Sequence, residues 1–287
     1  MLVNMSNLME LAKVNNKAVG AFNITGLEML QATIDAAEKL NEPVILQFAQ
    51  VHEEENVIDL DTIGPIMVLM AEKSSVPIAV HLDHGVDIQF IKKALDMGFT
   101  SVMYDGSSLS FEENVAYTKM VVRLAKTYDA DVEAEIGVMS GLTLNENKEV
   151  ENRRSNDRSM YTDPIQAKEF VEKTGVDCLA CAFGTVHGMY ATTPQLDFEL
   201  VKELNDTIGV PIVMHGGSGV SKEDYDVVIN NGVRKVNYYT YMAKAGGDAI
   251  KKYDLNKDVV LFHDLANAAR KAMQDDIEEA IKVFKHQ

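Results

Sequence analysis

Pro77-Ile-Ala-Val-His-Leu82 is an apolar run broken by one histidine. Ile88–Met97 follows it with apolar residues at three- and four-residue steps, and Thr100-Ser-Val-Met-Tyr104 is apolar again. A strand, a helical crossover and a second strand of this length form the repeating unit of a parallel sheet. The alternation continues in both directions from this stretch. Further apolar runs are Ala18–Ile24, Pro43–Phe48, Asp131–Ile136, Val176–Ala182, Pro211–Met214 and Val233–Val236. Helical periodicity marks Leu27–Leu40, Phe111–Tyr128, Pro164–Thr174 and Leu196–Thr207. Near-continuous apolar strands separated by helices indicate a parallel sheet covered on its outer face. Eight such units fit a closed (β/α)8 TIM barrel better than an open doubly wound sheet. The open sheet would offer a Gly-rich turn after its first strand, and Phe22-Asn-Ile-Thr-Gly26 is not one. The sequence therefore predicts a single α/β barrel domain over residues 1–287. It carries a long polar lid-like loop around 138–162 and one or two terminal helices over 261–285.

Bulk properties narrow the function. The formal charge is −17, from 44 acidic and 27 basic residues. Such a balance opposes nucleic-acid binding, and an anionic substrate must be met by a local group of donors. No stretch approaches the roughly 18 consecutive apolar residues of a membrane span. Met1–Leu11 lacks a basic segment followed by an apolar run, so no secretory leader is predicted and the expected compartment is the cytoplasm. The two cysteines, Cys178 and Cys181, fall in an apolar run where residues three apart face opposite sides of a strand. They are expected to be two buried core thiols rather than a redox or zinc pair.

The polar residues fall at the strand ends, which converge on one rim of a barrel. Asn23 closes the first run, Asp83-His84 the third, and Glu135 lies near the end of the fifth. His187 follows the sixth, His215 ends the seventh and Asn237 the eighth. Three imidazoles at one rim suit a divalent metal with an open position for substrate, so His84, His187 and His215 are candidate ligands. Glu133 and Glu135 share a face, which makes Glu135 a further candidate ligand if that face is the lumen. Alternation along the strand directs Asp83 away from His84. There it could act as a general acid or base on a bound carbonyl compound, and the competing reading is a helix cap. His81 is expected to pack or to support the ligands, and His52, His263 and His286 to be solvated or peripheral. His215-Gly-Gly-Ser-Gly219 is a Gly-rich turn leading to the helix cap Ser221. Its place after the seventh strand suits phosphate or a similar anion, with Asn237 and Thr240 completing the pocket.

These blocks resemble the class II, metal-dependent fructose- and tagatose-bisphosphate aldolases over nearly the whole chain. The similarity is carried by His81-Leu-Asp-His-Gly85, Ser101-Val-Met-Tyr-Asp-Gly106, Val132-Glu-Ala-Glu-Ile-Gly137, Tyr161-Thr-Asp-Pro164, Gly184-Thr-Val-His-Gly188 and His215-Gly-Gly-Ser-Gly219. The resemblance implies Zn2+ on His84, His187 and His215, with Glu135 at a second metal position. It implies that Asp83 exchanges a proton with the C4 hydroxyl of a ketose phosphate. It places the C1 phosphate against Gly188, Gly216, Gly217, Ser218, Asn237 and Thr240, with Asn23 also on the substrate. A monovalent cation (Na+ or K+) and a homodimer or homotetramer are further implications.

The departures from the family pattern concern the substrate. Thr143 stands where the family has a glutamate that handles a proton, Ala49 where it has a serine, and Ala191 where it has a lysine. Tyr239 stands where a small polar residue contacts substrate. Losing a positioned general acid costs about 10²–10⁴ in rate, so a replacement is expected among Glu146, Glu149, Glu151 and Tyr239. Arg153, Arg154 and Arg158 are candidates for replacing lost anion contacts. The expectation is a zinc-dependent aldolase acting on a specialised ketose. The alternatives are a transaldolase-like transferase and a non-catalytic binder of metal or sugar phosphate.

Overall fold

The computed structural model describes residues 1–137, 158–186, 188, 194–254 and 259–286. Eight parallel strands close into a barrel in sequence order, β1 (Val19–Asn23), β2 (Val44–Ala49), β3 (Ile78–Gly85), β4 (Ser101–Tyr104), β5 (Asp131–Ile136), β6 (Cys178–Cys181), β7 (Ile212–Met214) and β8 (Val233–Tyr238). The helices are α1 (Met5–Val14), α2 (Leu27–Leu40), α3 (Gln50–Glu54), α4 (Leu60–Lys73), α5 (Ile88–Asp96) and α6 (Phe111–Lys126), then α7 (Pro164–Thr174), α8 (Phe198–Ile208), α9 (Lys222–Asn230), α10 (Thr240–Lys252) and α11 (Phe262–Phe284). The TIM barrel expected from the alternating runs is the observed fold. The C-terminal stretch is one 23-residue helix, and it packs against α2 and α10. Among the described residues, no helix is long and apolar enough to cross a membrane.

The chain marks its own helix starts. Asp87, Ser110, Asp163, Asp197 and Ser221 each stand at an N-cap, where the side chain accepts a hydrogen bond from a backbone N–H of the first turn. A short polar side chain there satisfies a donor that the helix itself cannot. Pro164 then occupies the first helical position, where no N–H is needed.

Two apolar regions hold the barrel. The larger lies between sheet and helices and includes Phe22, Leu46, Phe48, Phe170, Phe183 and Phe284. The smaller fills the lumen from below, where Met5, Leu8, Met9 and Ala12 of α1 meet Val19, Ala21, Ile45, Ala79, Ala180 and Val213. Cys178 belongs to the inner region and Cys181 to the outer, as their spacing on a strand requires, and both thiols are free and buried.

Candidate metal centre at the barrel mouth

The upper lumen is polar because several strands place polar residues two positions apart, on the same inward face. On β3 these are His81 and Asp83, on β5 Glu133 and Glu135, and on β8 Lys235 and Asn237, all of them buried. The register sets Gln47 beside His81 and Asn23 beside Gln47. Residues from distant parts of the sequence thus share two adjacent layers.

Asp83 lies in a cradle of amides. Asn23 Nδ2 and Gln47 Nε2 donate to its Oδ2 at 3.1 and 3.3 Å, and Asn237 Nδ2 donates to its Oδ1 at 3.0 Å. Gln47 Nε2 also donates to Asn23 Oδ1 at 2.8 Å, fixing that amide. Burial opposes ionisation of Asp83, but the positive field of His84 and Lys235 outweighs it and holds the carboxyl well below its usual range. Asp83 is therefore no helix cap. It is an ionised carboxylate with its lone pairs directed by three donors.

His84 departs from the strand rule. Its φ is +46°, a left-handed conformation, and the β3–β4 register shifts between Leu82 and Gly85. Simple alternation turns Asp83 and His84 to opposite sides. The local twist instead leaves His84 Nε2 4.0 Å from Asp83 Oδ1, which corrects that expectation. Asp105, one residue past β4, engages His84 Nδ1 at 2.8 Å and is itself held by the Ser107 N–H and hydroxyl. Burial lowers the basicity of His84, yet Asp83, Asp105 and Glu135 overcome it and push the imidazole up to about 10.

The His215 ring stands edge-on to that of His84, with centroids 4.6 Å apart and an interplanar angle of 76°. Its Nε2 meets Glu133 Oε1 at 2.8 Å, and its Nδ1 lies 3.4 Å from Glu135 Oε2. Glu135 is fully enclosed, and burial together with Asp105 raises its carboxyl well above the ordinary range. The ligand atoms of Asp83, His84 and His215 lie within 4.8 Å of one another, as do those of His84, Asp105 and Glu135. Two imidazoles and surplus buried carboxylate charge around one small volume fit a divalent cation, since that charge otherwise has to be met by protons. Asp105 and Glu133 supply the outer hydrogen bonds that orient ligand rings in metal sites.

The turn after His215 is pressed against its neighbours. Gly216 has φ +64°, and a Cβ there would come within 2.2 Å of Val186 O. Only glycine permits this approach of the β6 and β7 loops. Gly217 N–H donates to Asn237 O, Ser218 Oγ accepts from Tyr239 N–H at 3.2 Å, and Tyr225 hydroxyl donates to Gly217 O. Thr240 opens α10, and half-buried Gly188 has φ +93°. Five of the candidate residues thus form one contiguous turn-and-strand edge, Gly216, Gly217, Ser218, Asn237 and Tyr239. His187, Arg153, Arg154 and Thr143 lie outside the described residues, as do Glu146, Glu149 and Glu151.

Three further placements follow. His52 is not solvated: it is 3% exposed on α3, edge-on to Phe48, with its ring 5.3 Å from that of Tyr239. The apolar flank of Phe48 and the aromatic face of Tyr239 draw it inward, and burial keeps it neutral. His263 is exposed, and His286 is half-buried against Asp226. Asp105, Gln47 and Lys235 received no role from the sequence. Asp105 is a polar strand-end residue like the others, Gln47 is the one polar residue of an apolar run, and Lys235 lies two positions before Asn237 on a strand.

Sequence and structure comparisons identify relatives of the chain. The profile of the family described as fructose-bisphosphate aldolase class-II matches residues 3–287. A protein of Escherichia coli K12 named YdjI is 39% identical over 267 residues, covering 93% of this chain and 91% of the relative. A Staphylococcus aureus protein named fructose-bisphosphate aldolase is 37% identical over 286 residues, covering 99% and 97%. The crystal structure titled as the YdjI aldolase from Escherichia coli K12 superposes with a TM-score of 0.86 at 37% identity, covering 99% of this chain and 97% of that one. The chain belongs to the class-II fructose-bisphosphate aldolase family and is an aldehyde-lyase of the aldolase type.

Proposed function

We propose that this aldolase is zinc-dependent and cleaves a phosphorylated ketose to a three-carbon ketone, dihydroxyacetone phosphate or dihydroxyacetone, and an aldehyde. The observation that carries the reading is Asp83, an ionised carboxylate fixed by three amides beside two edge-on imidazoles. His84 and His215, with His187 as the resemblance implies, would hold the ion, and Glu135 would serve a second position. A bound zinc ion supplies Lewis acidity that polarises the ketone and stabilises negative charge on its oxygen.

The chain supplies the proton chemistry. In the cleavage direction Asp83 accepts the C4 hydroxyl proton as the C3–C4 bond breaks, and the bonding pair stays with the ketone fragment. A base must be ionised before this step, and the donors around Asp83 keep it so. In the reverse direction Asp83 returns the proton to the new hydroxyl. Tyr239 is the one described residue among the acids considered for protonating C3. Burial raises its phenol, which keeps it an O–H donor. Asn23, Gly188, Gly216, Gly217, Ser218, Asn237 and Thr240 are proposed to hold the phosphorylated end, with a monovalent cation nearby. Arg153 and Arg154 are proposed to assist from the lid. Tyr239, its ring 5.3 Å from that of His52, stands where the family has a small polar residue on the substrate, which supports a specialised ketose. A cytoplasmic location and a homodimer or homotetramer complete the proposal.

The test is retro-aldol cleavage of ketoses carrying zero, one or two phosphates, each with and without EDTA. Release of the three-carbon ketone that EDTA stops and added zinc restores is the expected result. Cleavage that appears only with an acceptor aldehyde would point to a transferase instead. Binding of zinc and sugar phosphate with no turnover of any ketose would reject the lyase reading.

A further inference from the structure

Lys235 is 0% exposed inside the barrel, with its Nζ between two acceptors, Asn237 Oδ1 at 2.7 Å and Glu133 Oε2 at 2.8 Å. An ammonium group donates and cannot accept. Its position therefore dictates which way each neighbour faces. Asn237 must turn its oxygen to Lys235, which leaves the Nδ2 amide to donate to Asp83 Oδ1 at 3.0 Å. A flipped amide would set N–H against ammonium and oxygen against carboxylate, two repulsions in place of two hydrogen bonds. Glu133 spends Oε2 on Lys235 and accepts from His215 Nε2 on Oε1 at 2.8 Å. That hydrogen bond puts the proton of the neutral His215 ring on Nε2, and the basic nitrogen is then Nδ1, on the Glu135 side.

We propose that Lys235 is a positioning residue that sets both halves of the site, the amide orientation of Asn237 above Asp83 and, through Glu133, the nitrogen that His215 presents to the metal. The inference rests on the zinc-aldolase reading, but its metal half can be tested without any substrate. The plain alternative is a buried salt bridge that only stabilises the barrel. Buried ion pairs are often replaced by apolar side chains with little loss, or even a gain, of stability. Stability and positioning therefore separate in double variants, which leave no lone charge behind.

In Lys235→Met/Glu133→Leu both holds are removed. In Lys235→Met/Glu133→Gln the introduced side-chain amide keeps an oxygen that can still accept from His215 Nε2, so the Asn237 hold is lost while the His215 hold is kept. Three quantities are measured on each purified protein: the apo melting temperature, zinc affinity by competition with a chromophoric chelator, and kcat and KM for the best ketose phosphate. The ¹⁵N shifts of the His215 ring report its tautomer. Loss of an outer partner typically costs about 10–100-fold in metal affinity or activity. The Leu-containing variant should weaken zinc by that factor and scatter the His215 tautomer while melting close to wild type. The Gln-containing variant should bind zinc within about threefold of wild type, yet lose on the order of tenfold in kcat with KM little changed. Wild-type zinc affinity and tautomer in the Leu-containing variant would overturn the metal half. Wild-type kcat in the Gln-containing variant would overturn the Asp83 half. If the wild-type protein cleaves no ketose, the aldolase reading fails, and the zinc and ¹⁵N results still decide the metal half.

Discussion

The floor and the mouth of the barrel are built from the same strands, two or four residues apart. On β3 the inward series is Ala79, His81, Asp83; on β1 it is Val19, Ala21, Asn23; on β2 it is Ile45, Gln47. The lower members pack with α1 into an apolar plug. The upper members form a hydrogen-bonded polar layer that includes the Asp83 cradle. Backbone geometry is shared, so side-chain chemistry alone divides stability from reactivity along each strand. The floor lowers free energy by removing apolar surface from water. The mouth confines charge at a cost, and that charge is what a cation and a reacting hydroxyl require.

Substitutions at the two levels should therefore fail in different assays. The largest effect belongs to Asp83→Ala, expected to lower kcat by about 10²–10⁴ while zinc content, measured by elemental analysis, stays at the wild-type level. Loss of the metal along with the activity would make Asp83 a ligand and break the division of roles drawn above. At the floor, Leu8→Ala should cost about 2–5 kcal/mol in urea unfolding, because Leu8 is 1% exposed between α1 and the lumen. Its kcat at saturating metal should remain within about threefold of wild type, and a larger fall would mean that the floor controls the mouth. Gly216→Ala joins the two concerns, since its left-handed φ and the Val186 carbonyl both oppose a side chain. The expected penalty is about 1–3 kcal/mol of stability, with kcat/KM reduced as the loops part, and unchanged unfolding would refute the close approach. The smallest effect is expected at Cys178 and Cys181, whose thiols are buried and pushed up by desolvation. Neither should react with a thiol reagent until denaturant is added. Labelling of native Cys178 would show that the lumen opens below the polar layer, and labelling of Cys181 that the helices part from the sheet.

Most of the barrel was legible because parallel strands buried on both faces read as apolar runs. The same rule hid the ends of two strands. β3 continues through Asp83, His84 and Gly85, and β8 through Asn237 and Tyr238, past the point where the apolar runs stop. Of those extra residues Asp83, His84 and Asn237 are polar and belong to the site, whereas Tyr238 packs outward against Phe22 and Phe284. His84, Asp83, Glu135 and His215 could be found as polar residues at strand ends. The left-handed turn at His84 could not, since nothing in residue type specifies φ at a histidine. Lys235 was missed for a related reason. A lysine in a short strand reads as surface until its partner Glu133, on a strand some hundred residues earlier, is brought across the lumen.

The α1 plug also governs traffic. Because Met5, Leu8 and Met9 stop the lower end of the lumen, the described residues leave the polar layer no exit beneath it, and whatever enters from above meets a closed floor.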